Sequence, residues 1–476
     1  MLFTELNFWV FFAFVAIAYI VLPHRAQNRM LLVASYIFYS AWDWRFLSLI
    51  LISTLVDYLV GLRLSIEVDD RKRRRLLALS LISNLGMLCV FKYLEFFVDS
   101  FQALLESFGL SPDPLALSIV LPVGISFYTF QTLSYTIDIY RRDMKPAANF
   151  FDFALFVAFF PQLVAGPIER AKNLLPNIEL PRQLSWDALR RGAILCMLGL
   201  VKKVVIADGI APSVDAIYSS PDPSRLDIIF ATWLFAIQIY CDFSGYTDIA
   251  RGISKMLGFH LMRNFAQPYF ARDPQEFWRR WHISLSTWLR DYLYISLGGN
   301  RDGRWKTYRN LMATMTLGGL WHGAAWNFIA WGIYQGGLLS VHRALVGTHK
   351  RVGEGENRSI GAWLLRVLGI AAFFQVVCYG WLLFRATSFS QITEFTGRLA
   401  GIVPTPDTVT MPSIPFATCL AMLFLLCWDM AIERTGNVRF YEVFPLPIRA
   451  AIYACLIYLF AFGATTTTST FIYFQF

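Results

Sequence analysis

The chain has 476 residues, 56% hydrophobic and 16% charged, with 15 Trp, 21 Tyr and 42 Phe and a mean hydropathy of +0.48. Ordinary soluble domains carry about 25% charged residues, so a water-soluble globule is excluded. The net charge of +9 does not make nucleic acid a partner, because the basic residues gather in short stretches between apolar runs, where they set orientation in a bilayer.

In chain order, residues 6–22, 46–64 and 362–384 are among the apolar runs close to the roughly 18 residues that suit a bilayer crossing. They are too long and continuous for the strands of an outer-membrane barrel. The first run has no basic leader and no small-residue exit, so it reads as a retained helix rather than a cleaved signal. The expected fold is all-α and polytopic: residues 1–476 as one integral-membrane domain of roughly eleven to thirteen membrane helices with re-entrant segments. The seven cysteines, nearly all inside apolar runs, offer neither a disulfide framework nor zinc-ligand spacing.

Basic stretches mark the cytoplasmic side. Residues 23–29 carry Arg25 and Arg29, residues 65–77 carry Arg71, Lys72, Arg73, Arg74 and Arg75, and residues 141–149 carry Arg141, Arg142 and Lys145. The loops 95–116 (Glu95, Asp99, Glu106, Asp113) and 208–227 are acidic and are placed outside, as is the N-terminus. Two runs do not fit this alternation. Residues 151–167 lie between two basic stretches and are interrupted by Pro161, Gly166 and Pro167, which suggests a re-entrant segment, since broken backbone at membrane depth must be buried in protein or line a cavity. Residues 311–341 also have basic stretches on both sides and are too short for two full crossings. They fit either a hairpin turning at Gly318-Gly319-Leu320-Trp321-His322-Gly323 or one long tilted helix.

Between 259 and 310 the chain is basic, aromatic and too polar to span. Within it, Asp273, Pro274 and Glu276 form a helix start: a capping acceptor, a first-turn proline and a capping-box carboxylate. At helical spacing, residues 273–296 make an amphipathic interfacial helix. Phe277, Trp278, Trp281, His282, Leu285, Trp288, Leu289, Tyr292 and Leu293 share its apolar face, with Arg279, Arg280 and Arg290 opposite.

His282 on that face and His322 among small residues are the histidines suited to chemistry. A neutral imidazole takes a proton from a hydroxyl near pH 7 and returns it to a leaving group; the competing reading is a histidine bonding helices together. His24 and His349 read as solvated, His260 and His342 as interface anchors. No spacing supplies further metal ligands, and no metal site is expected. No G-x-S-x-G elbow, P-loop or dinucleotide fingerprint occurs. Asp57, Lys92, Gln131, Asp138, Gln238, Asp242 and Asn327 are polar residues within apolar runs and read mainly as bonds between helices.

Four motifs then carry a resemblance: Phe159-Phe-Pro-Gln-Leu-Val-Ala-Gly-Pro167, Cys241-Asp-Phe-Ser-Gly-Tyr-Thr-Asp248, Phe277-Trp-Arg-Arg-Trp-His-Ile-Ser-Leu-Ser-Thr-Trp288 and Leu320-Trp-His-Gly323. In this order they resemble the membrane-bound O-acyltransferase family, in its bacterial branch that includes the membrane subunits of alginate O-acetylation, up to about residue 345. The resemblance implies a multi-helix fold around a central tunnel in the bacterial inner membrane. It makes His322, within the 311–345 segment, the catalytic histidine and His282 its second histidine. It also implies an O-acetyltransferase with no bound cofactor. Such a protein takes an acyl group from a cytoplasmic thioester, acetyl-CoA or another acyl thioester, and passes it outward through an extracytoplasmic acetyltransferase partner to an exported polysaccharide. Other members serve peptidoglycan O-acetylation, and a related branch moves D-alanine toward teichoic acids. On this reading His322 is the base, His282 orients it or donates to the oxyanion, and Trp278, Trp281 and Trp321 exclude water. Arg279 and Arg280 meet donor phosphates or lipid headgroups, and Asn327 belongs to the substrate-binding set. A transporter or flippase, and a scaffold for an exported enzyme, are the rivals from other classes.

Overall fold

The computed structural model describes residues 1–110, 119–164, 166–347, 360–410, 413–465 and 471–472; Asp113 and His349 lie outside them. Among the described residues every regular element is a helix. Six helical stretches are long and apolar enough to cross a membrane: His24–Ile66, Asp70–Ser107, Arg225–Met256, Ile360–Arg385, Phe416–Thr435 and Leu446–Gly463. The protein is thus an all-α, polytopic membrane protein. The count of six among the described residues is below the eleven to thirteen expected. His24–Ile66 and Asp70–Ser107 are continuous stretches of 43 and 38 residues, and other apolar runs form short helices such as Phe150–Ala158. The chain divides into two compact units, one of Met1–Cys196 with Thr247–Met262, the other of Met197–Tyr246 with Arg263–Phe476.

In the first unit, helices Leu47–Ile66, Asp70–Leu88 and Ile125–Tyr140 enclose a polar layer. The Asp57 carboxylate accepts from Ser80 Oγ at 2.5 Å and Asn84 Nδ2 at 2.9 Å, and Ser53 Oγ donates to Asn84 Oδ1 at 2.6 Å. Polar groups so partnered join helices where no water competes. Arg73, counted above as a loop charge, is buried. Its guanidinium donates to the carbonyls of Leu64, Glu67, Ile139 and Tyr140, capping the C-terminal ends of two helices.

The 151–167 segment is broken, as its prolines and glycine suggest. Helix Phe150–Ala158 starts from the Asn149 cap, stops at Phe159, and a single turn, Phe160–Leu163, follows. In an unbroken helix the Phe160 amide would donate to the Phe156 carbonyl. Here that amide donates to Ser35 Oγ at 3.1 Å, while Gln131 Nε2 donates to the Phe156 carbonyl at 2.5 Å. Side chains from neighbouring helices thus satisfy both groups, the condition under which irregular backbone is tolerated in an apolar interior.

In the second unit, residues 311–341 belong to a helical hairpin rather than one tilted helix. Arg304–His322 and Trp326–Val346 are joined at Gly323 to Ala325. Small residues let the two backbones touch: a Cβ on Gly332 would lie 2.5 Å from the Met315 carbonyl oxygen, and one on Gly319 would lie 3.0 Å from Gly332 Cα. Since the obstruction is backbone, Gly332→Val is expected to cost about 1–3 kcal/mol by overpacking. The check is the thermal midpoint of detergent-purified protein, and an unchanged midpoint would contradict this packing.

The stretch 208–227, expected as an acidic outer loop, is mostly helix Asp208–Tyr218, and three of its aspartates are in ion pairs. Lys203, in the π-helical turn Val201–Ala207, places Nζ 2.6 Å from Asp208 and 2.8 Å from Asp242, with all three side chains at most 2% exposed. Asp215 and Asp222 pair with Arg385 and Arg398, each at 2.6 Å. The 95–116 stretch likewise begins as helix Leu94–Ser107. Acidic residues counted as orienting charges are therefore, in part, internal ion pairs.

Candidate functional site

Helix Pro274–Arg280 starts as its sequence indicates. Asp273 Oδ1 accepts from the Glu276 amide at 2.8 Å, Pro274 opens the first turn, and Glu276 Oε2 accepts from the Arg272 amide at 3.0 Å. The expected single helix over 273–296 does not form. The chain becomes extended at Trp281 and left-handed at His282, with φ 43° and ψ 54°, then resumes as Ile283–Trp288 and a π-helical turn, Leu289–Tyr294. Nothing local foretells this break, since no glycine or proline lies between 275 and 296. A long-range pairing replaces the lost helical bonds: Ala266 N donates to the Arg280 carbonyl and Ile283 N to the Asn264 carbonyl, both at 2.9 Å. A side chain other than glycine in the left-handed region costs about 1–2 kcal/mol, so this strain is held in place by its surroundings.

The break turns both Trp281 and His282 inward, to 1% and 0% exposure. The His282 ring packs against Phe243 (4.7 Å between centroids), Trp321 (5.9 Å) and Phe265 (6.5 Å). Its Nδ1 lies 3.2 Å from Asn264 Oδ1. Burial disfavours the imidazolium and pushes the His282 pKa down from 6.5 to about 3. Unfolded chains then bind a proton below pH 6.5 that the folded protein does not take until about pH 3. The stability that neutral His282 contributes is whole above pH 6.5 and is lost as the pH falls toward 3. In His282→Gln the thermal midpoint should therefore fall less steeply on acidification across this window; equal slopes in both proteins would remove His282 as the group responsible.

His322 ends helix Arg304–His322, and its ring is 4% exposed. It sits edge-on to Trp331 (5.1 Å), Phe384 (5.5 Å) and Trp321 (5.1 Å). The two imidazole centroids are 6.4 Å apart, inclined at 61°. That is too far for a direct nitrogen–nitrogen hydrogen bond, and near enough for one reacting group to meet both.

The other sequence-selected residues divide. Trp321 touches both rings. Trp281 stacks on Phe277 at 5.6 Å and packs on Trp381 at 4.7 Å, while Trp278 donates Nε1–H to Gln335 Oε1 at 3.3 Å and meets Trp331. They form an aromatic layer with Trp331, which packs on His322. Arg279 is exposed. The Arg280 guanidinium pairs with Glu276 at 2.7 Å and Glu433 at 2.6 Å. The Asn327 amide donates to the carbonyls of Phe384 (3.3 Å) and Ala386 (2.9 Å), holding the segment that carries Phe384. Sequence reasoning missed Asn264, for which no helical spacing could give a signal, and Lys203, which Lys202-Lys203 inside an apolar run did offer. Among the described residues no cluster of three or more His, Cys, Asp or Glu is placed to hold a metal ion.

A probable alginate O-acetylase, AlgI, of Azotobacter vinelandii is 45% identical over 77% of this chain and 71% of its own length. The peptidoglycan O-acetyltransferase of Helicobacter pylori is 31% identical over 99% of this chain and 97% of its own. A teichoic acid D-alanyltransferase of Bacillus subtilis is 27% identical over 56% and 69%. The model of the membrane-bound O-acyltransferase family matches residues 36–352, the span that contains both buried histidines, and the chain belongs to that family.

Proposed function

We propose that this inner-membrane acyltransferase moves an acetyl group from a cytoplasmic thioester, such as acetyl-CoA, toward an exported, alginate-like polysaccharide, with an extracytoplasmic acetyltransferase as its partner. The observation that carries the reading is the pair of buried imidazoles 6.4 Å apart within the family-matched span. The high identity to proteins named alginate O-acetylases supports the acetyl group and the polymer. In the step proposed, His322 removes the proton of an acceptor hydroxyl, whose oxygen attacks the thioester carbonyl carbon. The carbon–sulfur bond breaks, and the departing thiolate recovers the proton from His322. The thioester already stores the transfer potential, so the protein's tasks are a base, a dry site and stabilisation of the oxyanion. Trp278, Trp281 and Trp321 serve the second. Arg280, committed to Glu276 and Glu433, serves by holding its helix, and Arg279 is the arginine of the pair open to a donor phosphate.

Peptidoglycan is the second reading, favoured by one observation: the Helicobacter relative matches almost end to end. Inverted membrane vesicles given labelled acetyl-CoA on their cytoplasmic face test both. Label in a uronate polymer supports the first reading, label in muropeptides the second, and absence of any transferred label with active partner present defeats the thioester mechanism.

A further inference from the structure

We infer that Asn264 is a positioning residue that fixes His282 in the tautomer protonated on Nδ1, leaving Nε2 as a hydrogen-bond and proton acceptor. The inference rests on the proposed role of the histidine pair only for its effect on catalysis; the tautomer follows from geometry alone.

Asn264 is wholly buried. Its Oδ1 receives three contacts: the Ser284 backbone N–H at 3.1 Å, the Ser284 hydroxyl at 3.0 Å and His282 Nδ1 at 3.2 Å. A backbone N–H only donates, so the atom facing it must be the amide oxygen, and the orientation of the carboxamide is settled. That oxygen only accepts. His282 Nδ1 therefore carries the hydrogen, and the lone pair of the neutral ring lies on Nε2. The same residue closes the helix break through its carbonyl, which accepts from Ile283 N at 2.9 Å. One asparagine thus holds the left-handed turn and the ring it presents.

The consequence is a division of labour. A neutral His282 with its proton on Nδ1 has no Nε2–H to give a developing oxyanion. It acts as an acceptor, taking a hydrogen bond from the acceptor hydroxyl. The ring packs against Phe243 from helix Arg225–Met256, Phe265 from the preceding loop, and Trp321 and the titratable His322 from helix Arg304–His322.

Two measurements test this. Ring-nitrogen NMR of histidine-labelled full-length protein in lipid, with His282 assigned by its loss in His282→Gln, should show Nδ1 protonated and Nε2 bare. The opposite tautomer in the wild-type protein overturns the proposal whatever the activity. Kinetics supply the second. Asn264→Leu removes the acceptor and should lower kcat by about 100-fold or more with little change in KM for the thioester. Asn264→Asp keeps all three acceptor contacts, and the Asn264 Nδ2 it replaces has no hydrogen-bond partner among the described residues. It should restore most of kcat and move the acid limb of the pH profile upward, because a carboxylate on Nδ1 favours the imidazolium. Failure of Asn264→Asp to outperform Asn264→Leu at equal folded levels overturns the positioning role. If the NMR result holds but His282→Gln keeps full activity, the tautomer stands and the catalytic pairing of the histidines is what fails.

Discussion

Replacing His322 with alanine is expected to lower acyl transfer by about 10²–10⁴-fold, the usual contribution of a positioned general base, with the membrane level of the protein unchanged. The ring closes the last turn of its helix, so truncation removes no hydrogen bond of the helical ladder, and its neighbours Trp331, Phe384 and Trp321 can hold the backbone in place. His322→Gln sharpens the test. Glutamine retains polarity and much of the volume but accepts no proton near neutral pH, so it should be nearly as inactive as alanine. A glutamine variant with wild-type transfer would mean that the ring only binds or packs, and would reopen the transporter and scaffold readings. Polymer or muropeptide acetylation, measured at matched protein levels, is the assay.

What the sequence made legible follows the range of the interactions involved. The helices are legible because apolar runs of bilayer length have few other solutions. The hairpin was one of two readings because the loop charges and the glycines around His322 are local facts, and the structure chooses by the close approach of Gly319 and Gly332. The Asp273 cap reads directly, being a contact within one helical turn. The continuation of that helix through 281 and 282 fails for the converse reason. What breaks it is a strand of chain at 264–266, sixteen or so residues upstream, and helical periodicity carries no information about such a partner. Of the expected apolar face, Phe277, Trp281, His282, Leu285, Trp288, Leu289 and Tyr292 are buried, while Trp278 and Leu293 are half-buried. Arg280 shows the same limit: its partner Glu433 lies 153 positions away, so helical spacing gives no sign of this ion pair.

The largest loss of stability is expected at Lys203. Its ammonium lies between two carboxylates, Asp208 and Asp242, and Asp242 Oδ2 also accepts from the Ile472 amide at 2.8 Å. The Tyr246 ring faces the ammonium at 5.9 Å and rests on Phe471 at 4.4 Å. Lys203→Met keeps most of the apolar stem and leaves two buried carboxylates without the ammonium between them, a change that costs about 3–5 kcal/mol. The carboxylates are the source of the damage, so a second substitution that removes one of them should repair part of it. Lys203→Met with Asp242→Asn should be more stable than Lys203→Met alone, although each single change is destabilising. Purified protein in detergent, followed by thermal unfolding for the wild type, both single variants and the double variant, gives the coupling directly. Additive losses would show that the lysine and the aspartate do not act as a pair. Strong coupling would identify the π-helical turn at 201–207 as the device that brings a lysine from an apolar run onto two acids, a geometry π-helical turns provide by adding one residue to the helix and rotating the next side chain off its expected face.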